Sequence, residues 1–142
     1  MEKRGHIIVC GYGVVGENLV LHLGVKRSRI VIVENNHEKA DALRAEGYRV
    51  VEGDATKSKV LEQAGIAKAS AIAIVLDDDA KNMFSVITAR DMRRDLYIAS
   101  RANDEFVKGK LADAGANYVV APRITAAREI IKEIEKTGRK NA

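Results

Sequence analysis

The stretch Ile7-Ile8-Val9-Cys10-Gly11-Tyr12-Gly13-Val14-Val15-Gly16 decides how the rest of the chain is read. A short apolar run ends on three glycines spaced G-x-G-x-x-G, and a helical pattern opens at Val14. The spacing alone is common. Set between a strand and a helix, it describes a turn built for phosphate. Gly11 permits the tight turn. Gly13 removes a side chain where a pyrophosphate would approach the backbone, and Gly16 lets the helix lie close to the strand. The unpaired N–H groups and positive dipole at the helix start then offer an anion site. Tyr12, Val14 and Val15 complete the candidate loop.

Working outward, five more apolar runs follow the first (6–10), at 29–33, 48–51, 71–76, 96–99 and 117–120. Ile and Val dominate, with little polar alternation, as in strands covered on both faces of a parallel sheet. Between them lie helical patterns at 14–24, 36–46, 58–64, 79–93 and 103–114, the last with Asn103 as its expected cap. Gly47, Gly65 and Gly115 follow three of them as stop signals. Strand and helix alternating this way predict right-handed crossovers and an α/β, Rossmann-like, doubly wound sheet of six parallel strands in the order 3-2-1-4-5-6. After Pro122 comes a further amphipathic pattern, with Ile124, Ala127, Ile130, Ile131 and Ile134 at helical spacing. Such a helix either folds back on its own domain or crosses to a second copy or a further domain. Residues 1–121 are read as the nucleotide-binding domain, and 122–142 as a dimerisation or crossover helix with a basic tail.

The composition sets the outer bounds. At 142 residues the chain suits one domain, and 46% hydrophobic with 31% charged residues marks a soluble globular class. No apolar run approaches the roughly 20 residues of a membrane span. Met1-Glu2-Lys3-Arg4 leads straight into a strand-like run, so no signal peptide is expected. Cys10 is the sole cysteine, which excludes an internal disulfide and fits a reducing cytosol. Set in an apolar run, it reads as a small core residue. A net charge of +4 is too small to imply nucleic-acid binding. From position 123 onward six Lys/Arg stand against three Glu, read as a solvated helix face with a basic tail.

Further candidate site residues sit at the ends of later strands. Glu34 closes the second strand, eighteen residues after Gly16. A carboxylate there accepts ribose hydroxyls and repels a 2′-phosphate, which disfavours NADP. Asn35 beside it adds a polar contact or makes the turn. Gly53-Asp54-Ala55-Thr56 follows the third strand. Asp54, Ala55 and Thr56 line an adenine pocket, or Asp54 and Thr56 cap the short helix after them. Leu76-Asp77-Asp78-Asp79 follows the fourth strand. Three carboxylates suit a hard cation, but they also suit the start of the next helix. We read Leu76, Asp77 and Asp78 as pocket wall and cap, with no metal. Arg101, after the fifth strand, reaches a phosphate or lies on the surface.

No catalytic residue is assigned. His6, His22 and His37 are the only histidines, and none stands where a hydride-transfer acid is expected. No substrate domain is present either, so binding without chemistry is the expectation. The alternatives are a fragment of an NAD-dependent oxidoreductase and, ranked below it, a redox-sensing transcription regulator using the basic tail.

Taken together, the glycine loop, Glu34, Gly53-Asp54-Ala55-Thr56, Leu61-Glu62-Gln63-Ala64-Gly65-Ile66, Asp77-Asp78-Asp79-Ala80-Lys81-Asn82 and Ala114-Gly115-Ala116-Asn117-Tyr118-Val119-Val120-Ala121-Pro122 resemble the RCK family, also called KTN or TrkA-N domains. The resemblance runs from about residue 6 to 134. It implies a cytosolic regulatory domain, peripheral to the membrane through a potassium channel or transporter pore. It also implies pairing through the helix after the sixth strand into homodimers or higher rings, and NAD(H), ATP, ADP or AMP in the cleft. Gly11, Gly13 and Gly16 would hold phosphate, Glu34 the ribose, and Asp54, Ala55 and Thr56 the adenine border, with Arg101 as a further phosphate contact. Calcium-gated relatives place carboxylates after the fifth strand. Ser100-Arg101-Ala102 stands there instead, which speaks against a calcium site of that type. Relatives often continue into a smaller C-terminal subdomain and some carry transmembrane segments. The chain is therefore expected to be a part of a channel or a subunit docking on one. A nucleotide that favours one arrangement of the paired domains would bias the pore.

Overall fold

The computed structural model describes residues 5–141. The opening Met1–Arg4, read above for a leader, and the side chains of the basic tail beyond Gly138 lie outside the described residues.

Six parallel strands form one sheet: β1 (Ile7–Cys10), β2 (Ile30–Glu34), β3 (Arg49–Glu52), β4 (Ala71–Ile74), β5 (Tyr97–Arg101) and β6 (Tyr118–Val120). Their order is β3-β2-β1-β4-β5-β6, as the alternating pattern predicts. Helices α1 (Val14–His22), α2 (His37–Ala45), α3 (Ser58–Gln63), α4 (Asp79–Met92) and α5 (Glu105–Ala114) connect them, with a 3-10 turn at Arg27–Arg29.

Alternate side chains of each strand feed two separate cores, which is why the runs show no polar alternation. Ile8, Cys10, Val31 and Val33 point to one face, against Leu61 of α3, Val86 of α4 and Leu111 of α5. Val9, Ile30 and Ile32 point to the other, against Val20 of α1 and Leu43 of α2. Each fully buried Ile, Leu or Val contributes about 2 kcal/mol to holding these layers together.

Two local readings are corrected. Asn103 does not cap α5. Asp104 does, its Oδ1 accepting the Phe106 N–H at 2.9 Å, because Asn103 is drawn inward by the strand ends described below. Arg101 is not past β5 but its last residue, and it is buried.

A final helix, α6 (Pro122–Asn141), leaves the sheet after β6. Past Ile124 every residue to Gly138 is exposed, including Ile130 (61%), Ile131 (50%) and Ile134 (64%). One ion pair, Arg128 to Glu105 at 3.0 Å, ties its first turns to α5. The apolar stripe therefore does not fold back onto its own sheet. No helix among the described residues is long and apolar enough to cross a membrane.

Candidate functional site

The parallel topology carries the carboxyl ends of all six strands to one edge of the sheet, and the order reverses between β1 and β4. In sheets of this kind that switch point is where ligands bind.

The three loop glycines are there for different reasons. Gly11 turns at φ +99°, which L side chains rarely adopt, and its N–H donates to the Val33 carbonyl at 2.9 Å. A Cβ on Gly16 would run into the Gly11 carbonyl oxygen. Gly13 answers to neither constraint. Its φ of −81° suits any residue. The atoms nearest an added Cβ would be those of the Asp77 carboxyl group, its oxygens at 3.4 and 3.7 Å, an ordinary contact. The protein's own packing asks for glycine at 11 and 16 and leaves position 13 open.

Beyond Gly13, α1 begins without a side-chain cap, whereas Asn36, Asp78 and Asp104 cap α2, α4 and α5. The first-turn N–H groups of Val14, Val15 and Gly16 precede the first intrahelical bond, Glu17 N–H to the Gly13 carbonyl at 2.9 Å.

Glu34 stands half-buried at the end of β2, fixed by main chain on both sides. The Tyr12 N–H donates to its Oε1 at 3.1 Å and the Asn36 N–H to its Oε2 at 2.8 Å. Each oxygen keeps acceptor capacity for a hydroxyl. Asn35 is exposed beside it.

In the loop after β3, Asp54 turns in on its own segment, its Oδ1 accepting the Thr56 N–H at 2.9 Å and the Thr56 hydroxyl at 2.8 Å. These bonds, the backbone one first, hold the Asp54 carboxyl below its ordinary pKa. The short α3 after it has no side-chain cap, so Asp54 does not cap that helix. The loop is pinned to α4 instead: the Ser85 hydroxyl donates to the buried Ala55 carbonyl at 2.8 Å and the Thr88 hydroxyl to the Thr56 carbonyl at 3.0 Å.

The acidic run after β4 is divided among three tasks. Asp78 caps α4, accepting the Lys81 N–H at 3.0 Å. Asp79 accepts the Asn103 N–H at 2.7 Å. Asp77 faces Gly13 across the edge and meets Arg101 Nη1 at 3.4 Å. The Arg101 side chain is 11% exposed, so it is an interior group aimed at an open one, the Asp77 side chain being 86% exposed. Asn103 links the set, its Oδ1 accepting Arg101 Nη2 and its Nδ2 donating to the Asp77 carbonyl, both at 2.6 Å.

The structure thus joins Tyr12 to Glu34, and brings Gly13 beside Asp77, which in turn meets Arg101. Asp54, Ala55 and Thr56 stay on the β3 flank.

Sequence reasoning missed two groups. Asn82, fully buried on α4, brackets Leu76 and reaches the Arg101 carbonyl. Its signal is a polar residue in the helical stripe Asn82, Ser85, Val86, Ala89. The second group surrounds His37, whose Nδ1 meets Glu52 at 2.9 Å and Nε2 meets Asp41 at 3.1 Å. Glu52 is the register neighbour of Glu34. The glutamate hydrogen bond first, then the Asp41 charge, raise the His37 pKa. The three residues offer ligand atoms within 4.8 Å of one another. Arg44 Nη1, 3.2 Å from Asp41 and 3.6 Å from Glu52, already supplies a cation between the carboxylates.

The family model of the TrkA-N domain matches residues 7–122. This chain belongs to the TrkA-N family. The TrkA-N chain is 34% identical over 141 residues to the glutathione-regulated potassium-efflux system protein KefC of Enterobacter sp. strain 638, covering 97% of this chain and 21% of KefC. It thus spans about a fifth of that relative's length. Its fold matches the crystal structure of the TrkA-N domain of inner membrane protein ybaL from Escherichia coli with a TM-score of 0.82 at 26% identity, over 90% of this chain and 95% of that one. It also matches the GsuK channel bound to NAD, with a TM-score of 0.73 at 31% identity, over 82% of this chain and 21% of the channel.

Proposed function

We propose that this TrkA-N chain is a regulatory domain that binds an adenine nucleotide, NAD(H), ATP, ADP or AMP, and through it controls a potassium channel or transporter from the cytosolic side. The observation that carries the reading is Gly13. It is a glycine that neither φ nor packing requires, placed beside an uncapped helix start at the switch point of the sheet. Phosphate would lie on the first-turn amides of α1, over Gly11, Gly13 and Gly16. Glu34, already gripped by Tyr12 and Asn36, would accept the ribose hydroxyls, with Asn35 at its side. Asp54, Ala55 and Thr56 would border the adenine. Leu76, Asp77, Asp78 and Arg101 would form the far wall.

The role is binding without catalysis. Signal would pass through residues 122–142, whose exposed Ile130, Ile131 and Ile134 suit a second copy of the chain, with 1–121 as the nucleotide-binding part. A ligand that favours one arrangement of the pair biases whatever pore is attached. The NAD-bound GsuK structure and the potassium-efflux relative support this reading.

Isothermal titration of NADH, ATP, ADP and AMP tests it. Binding of at least one at millimolar concentration or below is expected. It should be lost in Gly13→Asp, which fills the notch with a like charge, while circular dichroism stays unchanged. Failure of all four nucleotides on the folded chain ends the proposal.

A further inference from the structure

Asp77 puts a negative charge on the phosphate side of the cleft. Its carboxyl oxygens lie 3.4 and 3.7 Å from the point where a Gly13 side chain would begin, which is where a pyrophosphate would approach. The position is held. Asn103 Nδ2 fixes the Asp77 carbonyl at 2.6 Å, and Arg101 Nη1 faces the carboxyl group at 3.4 Å. Arg101 itself is anchored from within, through Nη2 on Asn103 and a carbonyl gripped by Asn82. Its Nε is buried without a hydrogen-bond partner among the described residues. Neither the capping of α4 nor the packing of the strand ends needs Asp77: Asp78 does the first, and Asp79 with Asn103 the second.

Resting on the nucleotide reading above, we propose that Asp77 is a specificity residue that selects a dinucleotide diphosphate of the NAD(H) type over nucleoside polyphosphates. The argument is one of charge distribution. A dinucleotide's two phosphates are linked on both sides, each by one ester and the shared anhydride, with one negative charge each and no terminal group. Beyond them lies a second ribose, whose hydroxyls donate to a carboxylate. ADP and ATP end in an anhydride-linked terminal phosphate with two ionisable oxygens, which like a phosphomonoester of second pKa about 6 carries close to two charges at neutral pH. That terminus would extend from the α1 amides toward Asp77. A unit charge about 5 Å from another costs about fourfold in affinity even in water-like surroundings, and more where water is excluded. Arg101 offsets part of this repulsion, but it is already directed at Asp77, and at 3.4 Å the contact is long for an ion pair.

The test is competitive titration of NADH and ATP on the 142-residue chain and on Asp77→Asn, with circular dichroism on both. The wild-type chain is expected to bind NADH more tightly than ATP. Asp77→Asn is expected to shrink that ratio by about tenfold, chiefly by tightening ATP. Asp77→Ser, which removes the charge with a smaller group, must shift it the same way. A wild-type preference for ATP, or a ratio unmoved by both variants, overturns the proposal. In that case Asp77 is merely a partner for Arg101, able to affect melting temperature but not nucleotide preference. If neither nucleotide binds any form, the nucleotide reading falls first and takes this one with it.

Discussion

The carboxamide of Asn82 closes a two-way clamp on Leu76. The Leu76 N–H donates to Oδ1 and Nδ2 donates to the Leu76 carbonyl, each at 2.9 Å. The same Nδ2 reaches the Arg101 carbonyl at 3.2 Å, so one fully buried side chain satisfies polar groups from the ends of two neighbouring strands. Asn82→Leu keeps the volume and abandons these partners. Leaving buried polar groups unpaired costs about 1–3 kcal/mol each, so a loss of about 3 kcal/mol is expected. In a chain of this size that lowers the melting temperature by about 10 °C. Differential scanning fluorimetry decides it: a melting point within a degree of wild type would mean the clamp contributes nothing.

The glycine loop separates folding from binding at two positions three residues apart. Gly16→Ala forces a methyl group into the Gly11 carbonyl oxygen and should destabilise the chain by about 3 kcal/mol. Gly13→Ala makes only an ordinary contact with Asp77, so its melting temperature should stay near that of the parent while its nucleotide affinity falls. Parallel melting and titration of the two variants checks the division. Equal losses of stability would contradict it.

Glu34 takes two main-chain hydrogen bonds that leave it aimed and still able to accept. Glu34→Gln removes the charge and one acceptor oxygen. Hydrogen bonds to charged groups are worth about 1.5–3 kcal/mol, so NADH affinity should drop by about tenfold or more. NADPH affinity should drop less, because the repulsion of the 2′-phosphate goes at the same time. Measured side by side, the NADH-to-NADPH preference must narrow. An unchanged preference would remove Glu34 from the ribose site.

His37 predicts a pH dependence. Both ring nitrogens face carboxylates, an arrangement in which both donate only in the imidazolium. The folded pKa is raised, by the Glu52 bond first and Asp41 second. The stabilisation is therefore complete below the unfolded value of about 6.5 and disappears as pH rises through the higher folded one. The melting-temperature advantage of wild type over His37→Gln should be larger at mildly acidic pH than at alkaline pH. The opposite trend would show that the ring is not held as a cation.

On α6, Ile130, Ile131 and Ile134 are exposed along one helix with no partner from their own sheet. Sedimentation velocity should find the chain dimeric, and Ile131→Glu with Ile134→Glu should give a folded monomer. A wild-type monomer at all concentrations would leave the stripe without its expected partner.

What the sequence conveyed and what it withheld follow from how far apart the interacting residues are. The strands are readable because Ile8, Val9, Val31 and Ile32 are apolar on both faces, in short β-branched runs set between helical patterns, as a doubly covered sheet requires. The glycine loop was readable because strand, turn and helix start are contiguous. The sequence alone places the cap of α5 one residue early, since Asn103 and Asp104 are equally good caps locally. Only the arrival of Asp77, Asp79 and Arg101 draws Asn103 away. Asp77 and Arg101 are 24 positions apart, and His37 and Glu52 are 15 apart. No local pattern encodes such meetings. The division of Asp77, Asp78 and Asp79 into three tasks likewise needed the neighbouring strand to be in place.

Cys10 has a practical consequence. The lone thiol of the chain sits fully buried in β1, and burial pushes its pKa up to about 12. It is shielded from alkylating reagents for as long as the fold holds, since the thiolate is the reactive form. A fluorophore or spin label attached through an engineered thiol at Asp77 or Ile131 would therefore report from that position alone, without first replacing the native cysteine. Modification of Cys10 itself would time the opening of the central strand.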